Sequence, residues 1–198
     1  MDVTLCLGYA SNQVISYLDK NNNFGMNIDY FIEDQELGTA GSLRYLKNIG
    51  NEFILLYGDV IFDVYLKKYL SFHTDNKAAV SLFVHPNDHP HDSDLVYFDR
   101  NYKITKFVMK YEEKKLIQNS VSSGIFIIDS SILKLIPKGK SDLVNDLLPK
   151  LLRLDYNLFA YNSTEYVKDM GTPKRITEVE EALNNGLVSR LNLKRKQK

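Results

Sequence analysis

Short runs of β-branched and aromatic residues alternate along this chain with longer stretches whose apolar residues recur near a 3.6-residue period. Alternation of this kind argues for βαβ units and a mostly parallel sheet carrying helices on both faces. Strands are expected at 3–7, 28–32, 53–57, 78–84, 95–98, 123–129 and 158–161. Helices are expected at 11–19, 41–49, 64–74, 132–136, 143–152 and 173–184. The last helix has readable ends, with Thr172-Pro173 as N-cap and first-turn proline and Asn184-Asn185-Gly186 as the stop.

With 198 residues, one compact core is the expectation, since domains run to roughly 100–200 residues. Lys+Arg and Asp+Glu both number 25, which removes the basic footprint of a nucleic-acid binder. The single cysteine, Cys6, forms no internal disulfide, and in its apolar strand a thiol behaves as a small hydrophobe. No apolar run approaches the roughly 20 residues that span a bilayer, and the first residues lack the cationic start of a secretory signal. A cytoplasmic protein is expected, with no membrane partner. Residues 187–198 end in Leu-Lys-Arg-Lys-Gln-Lys and read as a solvated basic tail or linker after a domain of residues 1–186.

The sharpest local signal is Phe53-Ile54-Leu55-Leu56-Tyr57-Gly58-Asp59, an apolar strand that stops at a glycine and then offers a carboxylate. Ligands of open α/β sheets gather beyond strand carboxyl ends, so Asp59 suits a hard cation such as Mg²⁺; an Asx-turn aspartate is the alternative. Asp169, in Lys168-Asp169-Met170-Gly171-Thr172-Pro173, could share that ion only if its strand end is a neighbour. Otherwise it is an acidic residue placed favourably near a helix N-terminus. Leu37-Gly38-Thr39-Ala40-Gly41-Ser42 opens a helix with small residues that let a ligand approach the backbone, or simply forms a tight loop. Its glycine spacing matches neither the dinucleotide fingerprint nor a Walker loop. Residues 85–94 hold three histidines and three aspartates around two prolines, which favours a substrate-facing polar loop over a metal cage. No Gly-x-Ser-x-Gly elbow is present to support nucleophilic catalysis.

Taken in order, these motifs resemble the sugar-1-phosphate nucleotidyltransferases over nearly the whole chain. Leu37-Gly38-Thr39-Ala40-Gly41 is similar to that family's Leu-Gly-Thr-Ala-Gly loop, and Tyr57-Gly58-Asp59 to its Asn-Gly-Asp. Ser122-Ser123-Gly124-Ile125-Phe126 resembles its Asn-Ala-Gly-Ile-Tyr strand, and Asp169-Met170-Gly171-Thr172-Pro173 matches its Asp-x-Gly-Thr-Pro. Within the family, residues 85–96 and 163–169 look most like guanylyltransferases of D-glycero-D-manno-heptose 1-phosphate, with those of mannose 1-phosphate next.

The resemblance implies a Rossmann-like three-layer α/β/α fold of the nucleotide-diphospho-sugar transferase type. It implies Mg²⁺ held by Asp59 and Asp169, and nucleotide bound by Leu37, Gly38, Thr39, Ala40, Gly41 and Gly58. It further implies that Ser122, Gly124 and Lys168 contact sugar phosphate and that Lys110 neutralises it, although Met109 and Tyr111 replace the usual neighbours of that lysine. The implied reaction is attack of a sugar 1-phosphate oxygen on the α-phosphorus of GTP, with pyrophosphate leaving, for cell-surface glycans. Family members open with a Gly-rich, Arg-containing triphosphate loop, and nothing of that kind precedes Val3. Weak turnover, or a silent nucleotide-sugar-binding module, is the corresponding alternative. Residues 191–198 also resemble the linker to a haloacid-dehalogenase-type phosphatase in two-activity relatives.

Overall fold

The computed structural model describes residues 1–47, 49–87, 90–113 and 118–188; the basic segment 189–198 lies outside them. In chain order the elements are β1 (Asp2–Leu7), α1 (Ser11–Lys20), β2 (Asn27–Ile32), α2 (Gly38–Gly41), β3 (Glu52–Leu56), β4 (Val60–Asp63) and α3 (Leu66–Asp75). There follow β5 (Val80–His85), β6 (Leu95–Phe98), β7 (Ile104–Val108), β8 (Val121–Asp129), α4 (Leu148–Arg153), β9 (Leu158–Asn162), β10 (Tyr166–Asp169) and α5 (Pro173–Asn184). Two compact units result: Met1–Asn51 with Ser130–Lys150, and Glu52–Asp129 with the residues from Leu151 on. Among the described residues no helix is long and apolar enough to cross a membrane.

In the first unit β1 and β2 pair in parallel, Val3 opposite Ile28 and Leu7 opposite Ile32, connected through α1. Its buried apolar residues include Leu37, Ala40, Leu43, Ile132, Ile136, Leu143, Leu147 and Leu148. Burial pushes the Cys6 thiol above its ordinary pKa, as its place in β1 requires.

The second unit is built on a four-stranded sheet of order β3-β8-β5-β9. Val64, Tyr69, Phe83, Ile125 and Ile127 form a buried cluster beside it, each apolar side chain contributing on the order of 1.5–3 kcal/mol. Tyr69 and His73, one turn apart on α3, are the helix's buried residues. The Tyr69 hydroxyl donates to the Ser81 carbonyl at 2.6 Å, with the Ile125 carbonyl at 3.2 Å, so its polar end is satisfied.

The fold is α/β, as the alternation requires, but its pairing is more mixed than expected. Parallel pairs occur at β1–β2 and β5–β9, whereas β3–β8, β5–β8, β4–β10 and β6–β7 run antiparallel. Parallel neighbours need a long crossover, usually helical.

Helical spans also shorten. Of residues 41–49, Asn48 lies outside the described residues, and the rest give only α2 followed by a 3₁₀ turn, Ser42–Tyr45, that stops at extended Leu46. Two glycines in four residues are poor helix formers. Span 143–152 opens as a π-type turn, Leu143–Leu147, before α4. Pro149 has no N–H to close a bond onto Asn145, so the turn before it widens. Residues 130–135 form a 3₁₀ segment, and the four- and five-residue strands β4 and β7 carry too little alternation to read.

Candidate functional site

Asp59 is delivered by the end of β3. The Tyr57 amide extends the β3–β8 ladder by donating to the Gly124 carbonyl at 3.0 Å, and the Val60 amide donates back to the Tyr57 carbonyl at 3.3 Å. Gly58 and Asp59 therefore form an exposed corner between β3 and β4. Gly124 has φ +77°, and a Cβ there would lie 2.9 Å from the Tyr57 ring, so only glycine lets Tyr57 cross β8 at this point. It sits where the β5–β8 register slips between Leu82 and Val84, and the Ser123 hydroxyl donates to the Phe83 carbonyl at 3.0 Å across the slip.

Asp169 is delivered by β10, which runs antiparallel to β4 with Asp169 opposite Val60. The Met170 amide continues the ladder onto the Asp59 carbonyl at 2.7 Å. Two carboxylates 110 positions apart in sequence thus become neighbours through one register. At Gly171 a Cβ would stand 3.1 Å from Asp169 Oδ1 and 3.8 Å from Asp59 Oδ2, which limits the separation of those oxygens to about 7 Å. Glycine leaves that space open. Asp169 Oδ1 accepts from the Gly171 amide at 3.1 Å and from Arg175 Nη1 at 2.5 Å. Thr172 caps α5, its hydroxyl accepting from the Arg175 amide at 3.3 Å.

Mg²⁺ takes one or two carboxylates and completes its shell with waters and substrate phosphates. The Asp59–Asp169 pair fits that requirement in donor type, number and exposure. Among the described residues no group of three or more His, Cys, Asp and Glu could hold a metal; within 85–94, Asp88 and His89 lie outside the described residues.

The remaining expected residues differ in placement. Lys110 is exposed, two positions beyond β7, with its amide donating to Asp94 Oδ1 at 2.7 Å. Met109 is buried (7% exposed), its side chain lying within the protein. Ser122, on β8, keeps a buried hydroxyl with no protein hydrogen-bond partner. Lys168 is already engaged, its ammonium 2.7 Å from Glu178 Oε2, and that hydrogen bond holds the Glu178 carboxyl below its ordinary pKa. A substrate role for Lys168 requires that this exposed pair open first.

In the first unit, the small-residue loop packs against its own chain. The Ala40 and Gly41 amides both donate to the Ser141 carbonyl, at 2.9 and 3.2 Å, and the Ser141 amide donates to the Leu37 carbonyl at 2.9 Å. A Cβ on Gly38 would come 2.7 Å from the Ser141 carbonyl oxygen, and one on Gly41 2.6 Å from that of Gly139. Thr39 donates to Asp142 Oδ2 at 2.8 Å and accepts from the Leu143 amide at 2.8 Å. Of the residues expected to bind nucleotide, Ala40 and Gly41 thus have their amides engaged with Ser141. Sequence reasoning missed Arg175 and Glu178; a cation in the first turn of α5, where the helix dipole disfavours it, is the signal that singles out Arg175.

Several proteins share this organisation. The chain is 28% identical over 180 residues to a mannose-1-phosphate guanyltransferase of Candida albicans, covering 87% of this chain and 49% of the relative. It is 27% identical over 177 residues to a mannose-1-phosphate guanylyltransferase catalytic subunit beta of Drosophila melanogaster, covering 87% and 47%. The chain thus spans about half the length of the curated relatives it matches. Among solved structures, HddC from Yersinia pseudotuberculosis superposes with a TM-score of 0.77 at 22% identity, over 92% of this chain and 78% of that one. The same protein complexed with GMP-PN gives 0.75 at 22% identity, over 91% and 77%. The likeness establishes a Rossmann-like α/β fold of the nucleotide-diphospho-sugar transferase type. Residues 2–186 match the nucleotidyl transferase family model, and the chain belongs to the nucleotidyl transferase family.

Proposed function

We propose that the protein transfers GMP from GTP to a sugar 1-phosphate of the mannose or heptose type, in the cytoplasm, supplying activated sugar for surface glycans. The observation that carries the reading is the meeting of Asp59 and Asp169 at the open position of Gly171. Guanyltransferase relatives and a structural neighbour complexed with GMP-PN support the choice of base.

Asp59 and Asp169 would hold Mg²⁺, which when bound supplies positive charge to neutralise phosphate oxygens and the departing pyrophosphate. One bond forms, between a sugar-phosphate oxygen and the α-phosphorus, and one breaks, between the α-phosphorus and the bridging oxygen to the β-phosphorus. No protein nucleophile is needed. The chain's own residues serve by positioning two mutually repelling anions. Lys110 would act as a point charge on the sugar phosphate, and the Ser122 hydroxyl offers a hydrogen bond that the protein leaves unused.

The test is pyrophosphate release by the purified chain with Mg²⁺, each of GTP, ATP and UTP, and mannose 1-phosphate or heptose 1-phosphate. Turnover with GTP that disappears in a folded Asp59→Asn variant supports the reading. GDP-sugar binding without any pyrophosphate release overturns it in favour of a silent binding module, and turnover retained by Asp59→Asn overturns the metal assignment.

A further inference from the structure

Arg175 sits on Asp169 Oδ1, one of the two oxygens which that carboxylate offers a divalent cation. Its Nη1 lies 2.5 Å from Asp169 Oδ1 and 4.0 Å from the open point at Gly171, which is 3.8 Å from Asp59 Oδ2, so the guanidinium borders the space between both carboxylates. Mg²⁺ sits about 2.0–2.1 Å from its oxygen ligands. A cation on Asp169 Oδ1 and a guanidinium on the same atom would compete for one lone-pair region and repel each other.

The location is electrostatically unusual. Arg175 is the third residue of α5, with Lys174 beside it, and the start of a helix carries partial positive charge. A basic residue there is unfavourable unless an acid offsets it, and Asp169 does so. The pair is also easy to open, because the side chains are 36% and 42% exposed and exposed ion pairs are weak. Breaking it leaves neither group buried and unpaired.

We propose that Arg175 is a resident counter-charge on Asp169 which a divalent cation must displace, so that this residue sets the cation affinity of the site. The inference rests on the metal reading of Asp59 and Asp169. It makes Arg175 a positioning and tuning residue rather than a catalytic one, and predicts that its removal tightens metal binding, whereas removal of a supporting structural contact would leave it unchanged or weaken it.

The experiment measures Mg²⁺ and Mn²⁺ binding to the nucleotide-free full chain by calorimetry and by the Mn²⁺ paramagnetic resonance signal. Wild type is compared with Arg175→Gln, Arg175→Lys and Asp59→Asn, and far-UV circular dichroism checks the fold of each. Losing a weak exposed pair and one nearby positive charge should tighten binding about three- to tenfold in Arg175→Gln. Arg175→Lys, which keeps the charge, should stay within about twofold of wild type; should the Gln variant misfold, Arg175→Ala takes its place with the same expected tightening. Equal or weaker binding in folded Arg175→Gln, or equal tightening in both arginine variants, overturns the inference alone when wild type binds and Asp59→Asn does not. If neither wild type nor Arg175→Gln binds the ion, the metal reading and the inference fall together.

Discussion

Gly124→Ala is the most discriminating test of how the β3 corner is held. The new methyl meets two separate penalties. A non-glycine residue at φ +77° costs about 1–2 kcal/mol in the left-handed region. The Cβ also arrives 2.9, 3.1 and 3.2 Å from Cδ2, Cγ and Cβ of Tyr57, closer than atoms pack, and overpacking of this kind costs about 1–3 kcal/mol. Against these, alanine restricts the unfolded chain and returns about 0.4–1 kcal/mol. The net is a destabilisation of about 1–4.5 kcal/mol, a substantial part of a typical folding free energy of about 5–15 kcal/mol.

With no tryptophan and 13 tyrosines in the chain, urea unfolding is best followed by far-UV circular dichroism. A denaturant slope of about 2 kcal/mol/M, the middle of the usual range, converts that penalty into a midpoint lowered by about 0.5–2 M. Tyr57→Ala separates the two parts. In that background the contacts to Cδ2 and Cγ are gone and only the one to Cβ remains, so Gly124→Ala should cost mainly the backbone share, about 1–2 kcal/mol before the same unfolded-state return. A midpoint change below about 0.3 M in the single variant would refute both penalties, and an undiminished cost in the Tyr57→Ala background would refute the steric one.

Two further outcomes follow from the same geometry. Gly171→Ala places a methyl 3.1 Å from Asp169 Oδ1 at a backbone angle alanine tolerates. It should change stability by no more than about 0.5 kcal/mol while weakening Mg²⁺ binding about tenfold or more, so unchanged calorimetric affinity would contradict the convergence of the two carboxylates. His73 is buried, its Nδ1 2.9 Å from Ser81 Oγ and its Nε2 3.8 Å from Glu52 Oε1. Burial lowers its pKa from 6.5, outweighing the opposite pull of Glu52 and Asp129. The unfolded chain then binds the proton first, so this stabilisation is complete above about pH 6.5 and is lost as pH falls through the depressed folded value. Urea midpoints between pH 7.5 and 5.5 should therefore drop more in wild type than in His73→Gln, and parallel profiles would exclude the effect.

The parts of the fold that the sequence makes legible are those decided within a few residues. Thr172-Pro173 and Asn184-Asn185-Gly186 bound α5 as read, because a cap and a left-handed stop are local matters: Thr172 accepts from the Arg175 amide and Gly186 has φ +72°. The apolar run into Gly58-Asp59 likewise identifies its own strand end. What stays illegible depends on register between distant segments. Nothing near Asp169 says that β10 will lie antiparallel to β4 with Asp169 opposite Val60, yet that one register brings the two carboxylates together. It also leaves Lys168 and Asp169 paired with Glu178 and Arg175 of the following helix.

The small-residue loop shows the same limit from the other side. Glycine reports that something approaches closely, and at Gly38 and Gly41 an added Cβ would lie only 2.7 and 2.6 Å from another backbone oxygen. What approaches is the backbone at Ser141 and Gly139, about a hundred positions later. A requirement for small side chains is therefore not by itself evidence of a ligand, and two functions can share one motif. Gly38 and Gly41 are explained by packing. At Gly58, by contrast, a Cβ would meet no atom within 4 Å, and at Gly171 it would meet only the carboxylates and the arginine around them. Packing against neighbouring backbone accounts for the first pair and for neither of the second. Gly58 and Gly171 leave open space near Asp59 and Asp169, which is where the proposed Mg²⁺ and its phosphate ligands would have to enter.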